Sequence, residues 1–248
     1  MDFNDTPEDA EFRAEVRDWL GANAEKRGPG QIYKAKYGEA ALIPLSQEWQ
    51  QKKFAAGFAG ITTPSEYGGR GGTAFQQAIY DQEEVNFLVP RHIGSGLPLV
   101  IPTLQVYGSE EIKQRFIPRI LRSDDLWCQL FSEPSAGSDL AGLRTRSERD
   151  GDDWVINGQK IWTSNAQHAH LAILVTRSDP NAEKHKGLTY FYLDMKSPGI
   201  EVRPIKQISG LANFNEVFLT DVRIPDSQRL GKEGEGWKVA ITTLMNER

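Results

Sequence analysis

The feature that most constrains this chain is a change of hydrophobic rhythm near Asp125. Before it, apolar residues recur at helical spacing; after it, short apolar runs alternate with tight-turn signals. A chain that changes period in this way should place helices first and a sheet second, and it does not read as a doubly wound parallel fold. In the first part, Thr6-Pro7-Glu8-Asp9 is a helix start: a Thr cap, a Pro preset for the first turn, and acids favoured by the helix dipole. Phe12, Val16, Trp19 and Leu20 then form one apolar stripe, and Gly28-Pro29-Gly30 ends it. Further helices are expected over Ser46–Ala56 and Thr73–Phe87. Two more are expected between Pro98 and Leu121, on either side of Gly108-Ser109. The glycine-rich stretch Pro64–Gly72 reads as a loop.

The second part has strand composition at Trp127–Phe131, Asp153–Ile156, Gln159–Thr163, His170–Arg177, Leu188–Met195, Ile200–Ile205 and Glu216–Ile224. Asp150-Gly151 and Asn157-Gly158 read as tight hairpin turns. The expected fold is therefore α+β: an N-terminal all-α domain over 1–124, then an antiparallel β-barrel or sandwich over 125–232. From 233 to 248 the chain reads as the first helix of a C-terminal helical bundle. Trp237, Ala240, Ile241, Leu244 and Met245 share one face there, and no stop signal follows. That reading treats 233–248 as a domain cut off inside its first helix.

Composition removes several function classes. Lys plus Arg is 29 and Asp plus Glu is 34, so the net charge is −5, which leaves no basic footprint for nucleic acid. No apolar run approaches the ~20 residues of a membrane-spanning helix. The acidic N-terminus carries no leader pattern, so a cytoplasmic protein is expected. Cys128 is the single cysteine. It excludes a disulfide framework and, between Trp127 and Gln129 of a strand, reads as a packed thiol. His168 and His170 would share a face on a strand, but no third ligand lies near them, so no metal site is assigned. No dinucleotide-binding, phosphate-loop or serine-hydrolase motif occurs.

Two segments carry chemistry. In Ser132-Glu133-Pro134-Ser135-Ala136-Gly137-Ser138-Asp139 a strand ends in a turn of small residues with hydroxyls and carboxylates. It could hold a polar or anionic ligand, or be a plain turn. In Asn157-Gly158-Gln159-Lys160-Ile161-Trp162-Thr163-Ser164-Asn165 an aromatic face sits beside two hydroxyls. That suits a flat, polar-edged ring such as a flavin, or a core Trp at a polar strand end.

Together, Ser-Glu-Pro-x-Ala-Gly-Ser-Asp and Asn-Gly-x-Lys-x-Trp-x-Ser-Asn resemble the acyl-CoA dehydrogenase family. Gly57–Gly69, Tyr107-Gly108-Ser109-Glu110-Glu111, Asp221-Val222-Arg223-Ile224-Pro225 and Gly231…Gly236-Trp237 resemble it in the same order. The resemblance implies FAD as cofactor and α,β-dehydrogenation of an acyl-CoA thioester to the trans-2-enoyl-CoA, as in lipid β-oxidation. It implies a homodimer or tetramer and an electron-transfer flavoprotein as acceptor. Carried onto matching positions, Gln129, Phe131, Ser132, Trp162, Thr163 and Ser164 would bind the flavin, and Ser138 would meet the acyl-CoA. Glu247 would be the base, with Arg248 beside the substrate; the alternative base position lies in the family's C-terminal domain. Two other readings stay open: a half-site subunit of a hetero-oligomer, and a flavin monooxygenase or oxidase on the same fold.

Overall fold

A computed structural model describes residues 5–33 and 41–247. They form two compact units. One is the chain up to Ile93 with Leu121–Asp124; the other is Gly94–Ile120 with the chain from Asp125 onward.

The first unit is helical. Helix α1 spans Pro7–Asn23, α2 Leu42–Ala55 and α3 Ala74–Glu84. The Thr6 hydroxyl accepts the Asp9 amide at 3.2 Å, so the start signal works as the sequence suggests. At α3, Thr73 and Gln76 satisfy each other's backbone amides in a capping box. Phe12, Val16 and Leu20 of α1 bury against Trp49, Phe58, Ile61, Ile79, Tyr80 and Phe87. Trp19 lies against this core, with its ring 5.2 Å from Trp49 and 5.0 Å from Phe58. The glycine-rich stretch is a loop with one 3₁₀ turn at Ser65–Tyr67. A Cβ at Gly69 would come 2.1 Å from the Thr63 carbonyl oxygen, so this close approach requires glycine.

The second unit begins with a π-helical turn at Gly96–Val100. It continues through α4 (Ile101–Tyr107) and α5 (Glu110–Leu121) into a seven-stranded sheet. Strands β1 (Trp127–Leu130), β2 (Arg146–Asp150), β3 (Asp153–Ser164), β4 (Leu171–Arg177), β5 (Leu188–Asp194), β6 (Ile200–Ile205) and β7 (Phe214–Pro225) pair in the order β1-β4-β2-β3-β7-β6, with β5 also on β4. Its core holds Leu130, Trp154, Ile156, Leu174, Phe191, Val217 and Leu219. No helix among the described residues is long and apolar enough to cross a membrane.

Four details differ from the sequence reading. The sheet is mostly antiparallel, but β1 runs parallel to β4, with Trp127 opposite Leu171 and Leu130 opposite Leu174. Asn157-Gly158 is not a hairpin: β3 runs straight through it, and the register against β7 slips between Ile156 and Gly158. The extra residue is absorbed as a bulge. His168 closes a 3₁₀ turn at Ala166–His168, and His170 Nδ1 accepts the Leu126 amide at 3.0 Å, so the two do not form a strand pair. Finally, helix α6 (Gly236–Met245) buries Gly236, Val239, Ala240 and Thr243, so Ala240 is the one residue of the expected face that is buried. Gly236 allows that approach, because a Cβ there would lie 2.6 Å from the Thr189 nitrogen. Ile241 and Met245 are left 37% and 73% exposed.

Candidate functional site

The two motifs meet in the second unit. Strand β1 ends at Leu130, and β3 passes beside the segment that follows it. The Ile161 amide donates to the Ser132 carbonyl at 2.9 Å, which ties the first motif to the second. Beneath this contact lies a completely buried Lys160. Its ammonium donates to Phe131 O at 3.1 Å, Val175 O at 2.8 Å and Glu133 Oε1 at 2.9 Å. Glu133 also accepts the Arg144 and Thr145 amides at 2.6 and 2.9 Å. Burial opposes ionisation of Glu133, but the Lys160 charge and these hydrogen bonds hold its carboxyl below the usual range. Burial pushes Lys160 down to about 8 against the pull of Glu133. Neither residue appears among the site residues expected from sequence. A charge beside a strand end usually faces water, so sequence carries no signal for this pair beyond the motifs that contain it.

Just past Lys160 the pairing of β3 with β7 slips again, between Lys160 and Thr163. Trp162 sits in that irregularity with φ at +60°, a left-handed backbone unusual for an aromatic residue. It is 57% exposed and packs edge-on to Phe214, with ring centroids 6.2 Å apart. Of the six tryptophans it is the one classed as exposed, while Trp127 and Trp154 are fully buried. The Thr163 side chain points the other way: it is buried, and its hydroxyl has no hydrogen-bond partner among the described residues. Asn215 Nδ2 holds the Thr163 carbonyl at 3.0 Å. Ser164 is exposed and Asn165 half-buried, with Asn165 also left-handed at φ +55°.

Ser164 and Asn165 line a cleft of about 270 Å³ with Gly94, Ser95, Pro98, Leu99 and Glu247. Glu247 reaches it because α6 is fixed to the rest of the unit by hydroxyls. The Thr243 hydroxyl lies 2.8 Å from that of Thr103 and 2.9 Å from that of Tyr190, and donates to Val239 O at 3.1 Å. Tyr107 and Thr242 make a similar pair at 3.2 Å. One turn beyond Thr243, the Glu247 amide donates to Leu244 O at 3.2 Å, and the residue is exposed.

The structure thus brings Ser132, Trp162, Ser164 and Glu247 into the second unit around its two motifs. Gln129 is half-buried on β1, and Phe131 is buried edge-on to Tyr190, 5.8 Å between centroids. Ser138 lies exposed in the loop that Glu133 closes. Arg248 lies outside the described residues. Cys128 is fully buried, and burial pushes its thiol up to about 12, so it is no nucleophile.

An exposed indole near the exposed Ser164, on a bulge that the core pins in place, fits a flat heteroaromatic ring with polar edges. The comparisons bear on which family builds such a site. Residues 6–124 match the model described as "Acyl-CoA dehydrogenase, N-terminal domain", and residues 128–222 match the one described as "Acyl-CoA dehydrogenase, middle domain". The chain belongs to the acyl-CoA dehydrogenase family. It is 40% identical over 247 residues to the acyl-CoA dehydrogenase IpdE1 of Mycobacterium tuberculosis, covering 96% of this chain and 62% of that protein. It is 44% identical over 243 residues to FadE34 of the same organism, covering 95% of this chain and 33% of the relative. Among solved structures, the ChsE4-ChsE5 complex from Mycobacterium tuberculosis superposes with a TM-score of 0.81 at 32% identity, over all of this chain and 62% of that one. The chain therefore spans about three fifths or less of these relatives. A structure described as the Tcur3481-Tcur3483 steroid ACAD aligns equally well, with a TM-score of 0.81 and 32% identity over all of this chain and 63% of that one.

Proposed function

We propose that this chain carries the flavin and acyl-CoA site of an FAD-dependent acyl-CoA dehydrogenase that converts an acyl-CoA thioester to the trans-2-enoyl-CoA. One observation carries the reading: Glu247 and Ser164 line the same cleft, so a carboxylate stands beside the motif that presents Trp162. Ser132, Trp162 and Ser164 would hold the flavin through hydroxyls, backbone and the indole face. Gln129, Phe131 and Thr163 would contribute through the backbone or through the packing behind them. FAD, when bound, supplies the acceptor for the hydride that leaves the β carbon. Glu247 would take the α proton, and Ser138 and Arg248 would meet the substrate. The α proton is weakly acidic, so it has to leave toward a carboxylate held within reach of that carbon, and Glu247, which lines the cleft, would be that carboxylate.

In this reading the protein acts in the cytoplasm on a lipid-derived acyl-CoA and passes electrons to an electron-transfer flavoprotein. Its domains run 1–124, 125–232 and 233–248. A homodimer or tetramer is the simplest assembly. Two of the superposed structures are described by paired names, ChsE4-ChsE5 and Tcur3481-Tcur3483, which favours a hetero-oligomeric subunit as the second reading. One experiment tests the activity: the protein with added FAD is screened for enoyl-CoA product against straight-chain, branched and steroid-derived acyl-CoA esters. An enoyl-CoA from any class supports dehydrogenation. Enoyl-CoA formed only with matching oxygen consumption and peroxide release overturns it in favour of an oxidase.

A further inference from the structure

We infer that Glu133 and Lys160 are a positioning pair that sets Ser132 and Trp162 in the geometry the flavin requires. The inference rests on the flavin reading above, but its argument is geometric. Lys160 brackets Ser132: its ammonium takes the carbonyl of the residue before, Phe131, and the carboxylate of the residue after, Glu133. The next amide along β3, that of Ile161, takes the carbonyl of Ser132 itself. Ser132 is therefore held from three sides by two consecutive residues of the second motif.

The same lysine fixes the near end of the bulge that displays Trp162. The register breaks immediately after Lys160, and Asn215 pins the far end through the Thr163 carbonyl. A left-handed, largely exposed tryptophan is costly, and it persists only where its neighbours leave no alternative. Lys160 has three donors and three acceptors, so it cannot shift without stranding one of them in the core. Glu133 extends the clasp by taking the Arg144 and Thr145 amides, which closes the loop that carries Ser138. One buried ion pair thus ties together the segment around Ser132, the near end of the Trp162 bulge and the loop that carries Ser138. A buried ion pair is in itself weak evidence for stability, but this one also satisfies four backbone groups, so removing it should loosen the segments they belong to.

That last point supplies the test. The double variant Glu133→Leu/Lys160→Met keeps the volume and removes both charges. It is compared with the parent, without flavin, by hydrogen–deuterium exchange, and then by FAD titration. We expect the Ile161 and Thr145 amides to exchange at least tenfold faster in the double variant while the β5 amides stay as protected as in the parent. We expect FAD affinity to fall at least tenfold. Parent-like exchange at Ile161 would overturn the inference, as would unchanged FAD affinity. Should the double variant fail to fold, Glu133→Gln keeps the shape and weakens the pair; it should raise exchange at the same amides about threefold, and an unchanged profile would be equally fatal. If the parent itself binds no FAD, the cofactor reading fails. The exchange data still decide whether the pair sets the bulge.

Discussion

Replacing Thr243 by Val removes one oxygen and little else. Both side chains are β-branched and helix α6 keeps its packing, so the change isolates the hydroxyl. In the native chain that hydroxyl is buried, 2.8 Å from Thr103 Oγ1 and 2.9 Å from the Tyr190 hydroxyl. Thr103 keeps a second partner in Leu99 O at 2.8 Å, whereas the fully buried Tyr190 loses the hydrogen bond it makes to Thr243. Leaving a buried hydroxyl short of its partner costs about 1–3 kcal/mol, so a loss near 2 kcal/mol is expected. For a chain of this size that corresponds to a drop of about 4–8 °C in Tm. The partner variant Tyr190→Phe removes the stranded group, so in a double-mutant cycle the two losses should sum to about 1 kcal/mol more than the double variant shows. Urea unfolding of the four proteins, followed by fluorescence, provides the numbers. Strictly additive losses, or a Thr243→Val loss below about 0.5 kcal/mol, would refute the idea that this hydroxyl cluster seats α6 and so places Glu247 at the cleft.

Other outcomes follow from the structure. Gly199→Ala should destabilise by about 3 kcal/mol in a thermal melt, since φ is +90° there and a Cβ would lie 2.0 Å from the Thr220 carbonyl oxygen. Trp162→Ala should weaken FAD binding at least tenfold in a titration while shifting Tm little, because the indole is 57% exposed. Burial, with a smaller push from Lys53, lowers His92 to about 4, and neither ring nitrogen has a hydrogen-bond partner among the described residues. The unfolded chain then binds this proton first, so the His92 contribution to stability is intact above about pH 6.5 and is lost as pH falls toward 4. His92→Gln should flatten the stability profile in that window relative to the parent.

Much of the fold was legible because local rules and packing agree. The Thr6 cap, the Phe12/Val16/Leu20 stripe and the Gly151 turn between β2 and β3 stand where the sequence suggests. What escaped has physical reasons. Strand β2 reads Arg-Ser-Glu-Arg-Asp, and Ser147 is its one buried residue, so it has no apolar alternation to betray it. Asn157-Gly158 gives the same signal for a hairpin as for a bulge, and only the register of β7 decides between them. Helix α6 is apolar on more than one face; periodicity picked out Ile241 and Met245, while packing selected Val239 and Thr243. For the candidate site, the motifs pointed to Trp162 and Ser164, both of which are exposed. They could not reveal that Lys160 and Glu133 sit in the core, because nothing in a single sequence marks a lysine whose every donor is satisfied inside.

The central claim is that Glu247 removes the α proton beside a flavin held by Trp162 and Ser164. Its most direct test is anaerobic mixing of acyl-CoA with the protein and excess FAD, comparing the parent with Glu247→Gln at equal bound flavin. The account predicts rapid bleaching of the flavin absorbance in the parent and a rate at least a thousandfold lower in the variant, equivalent to about 4 kcal/mol of lost transition-state stabilisation. Equal bleaching in the two proteins would contradict it.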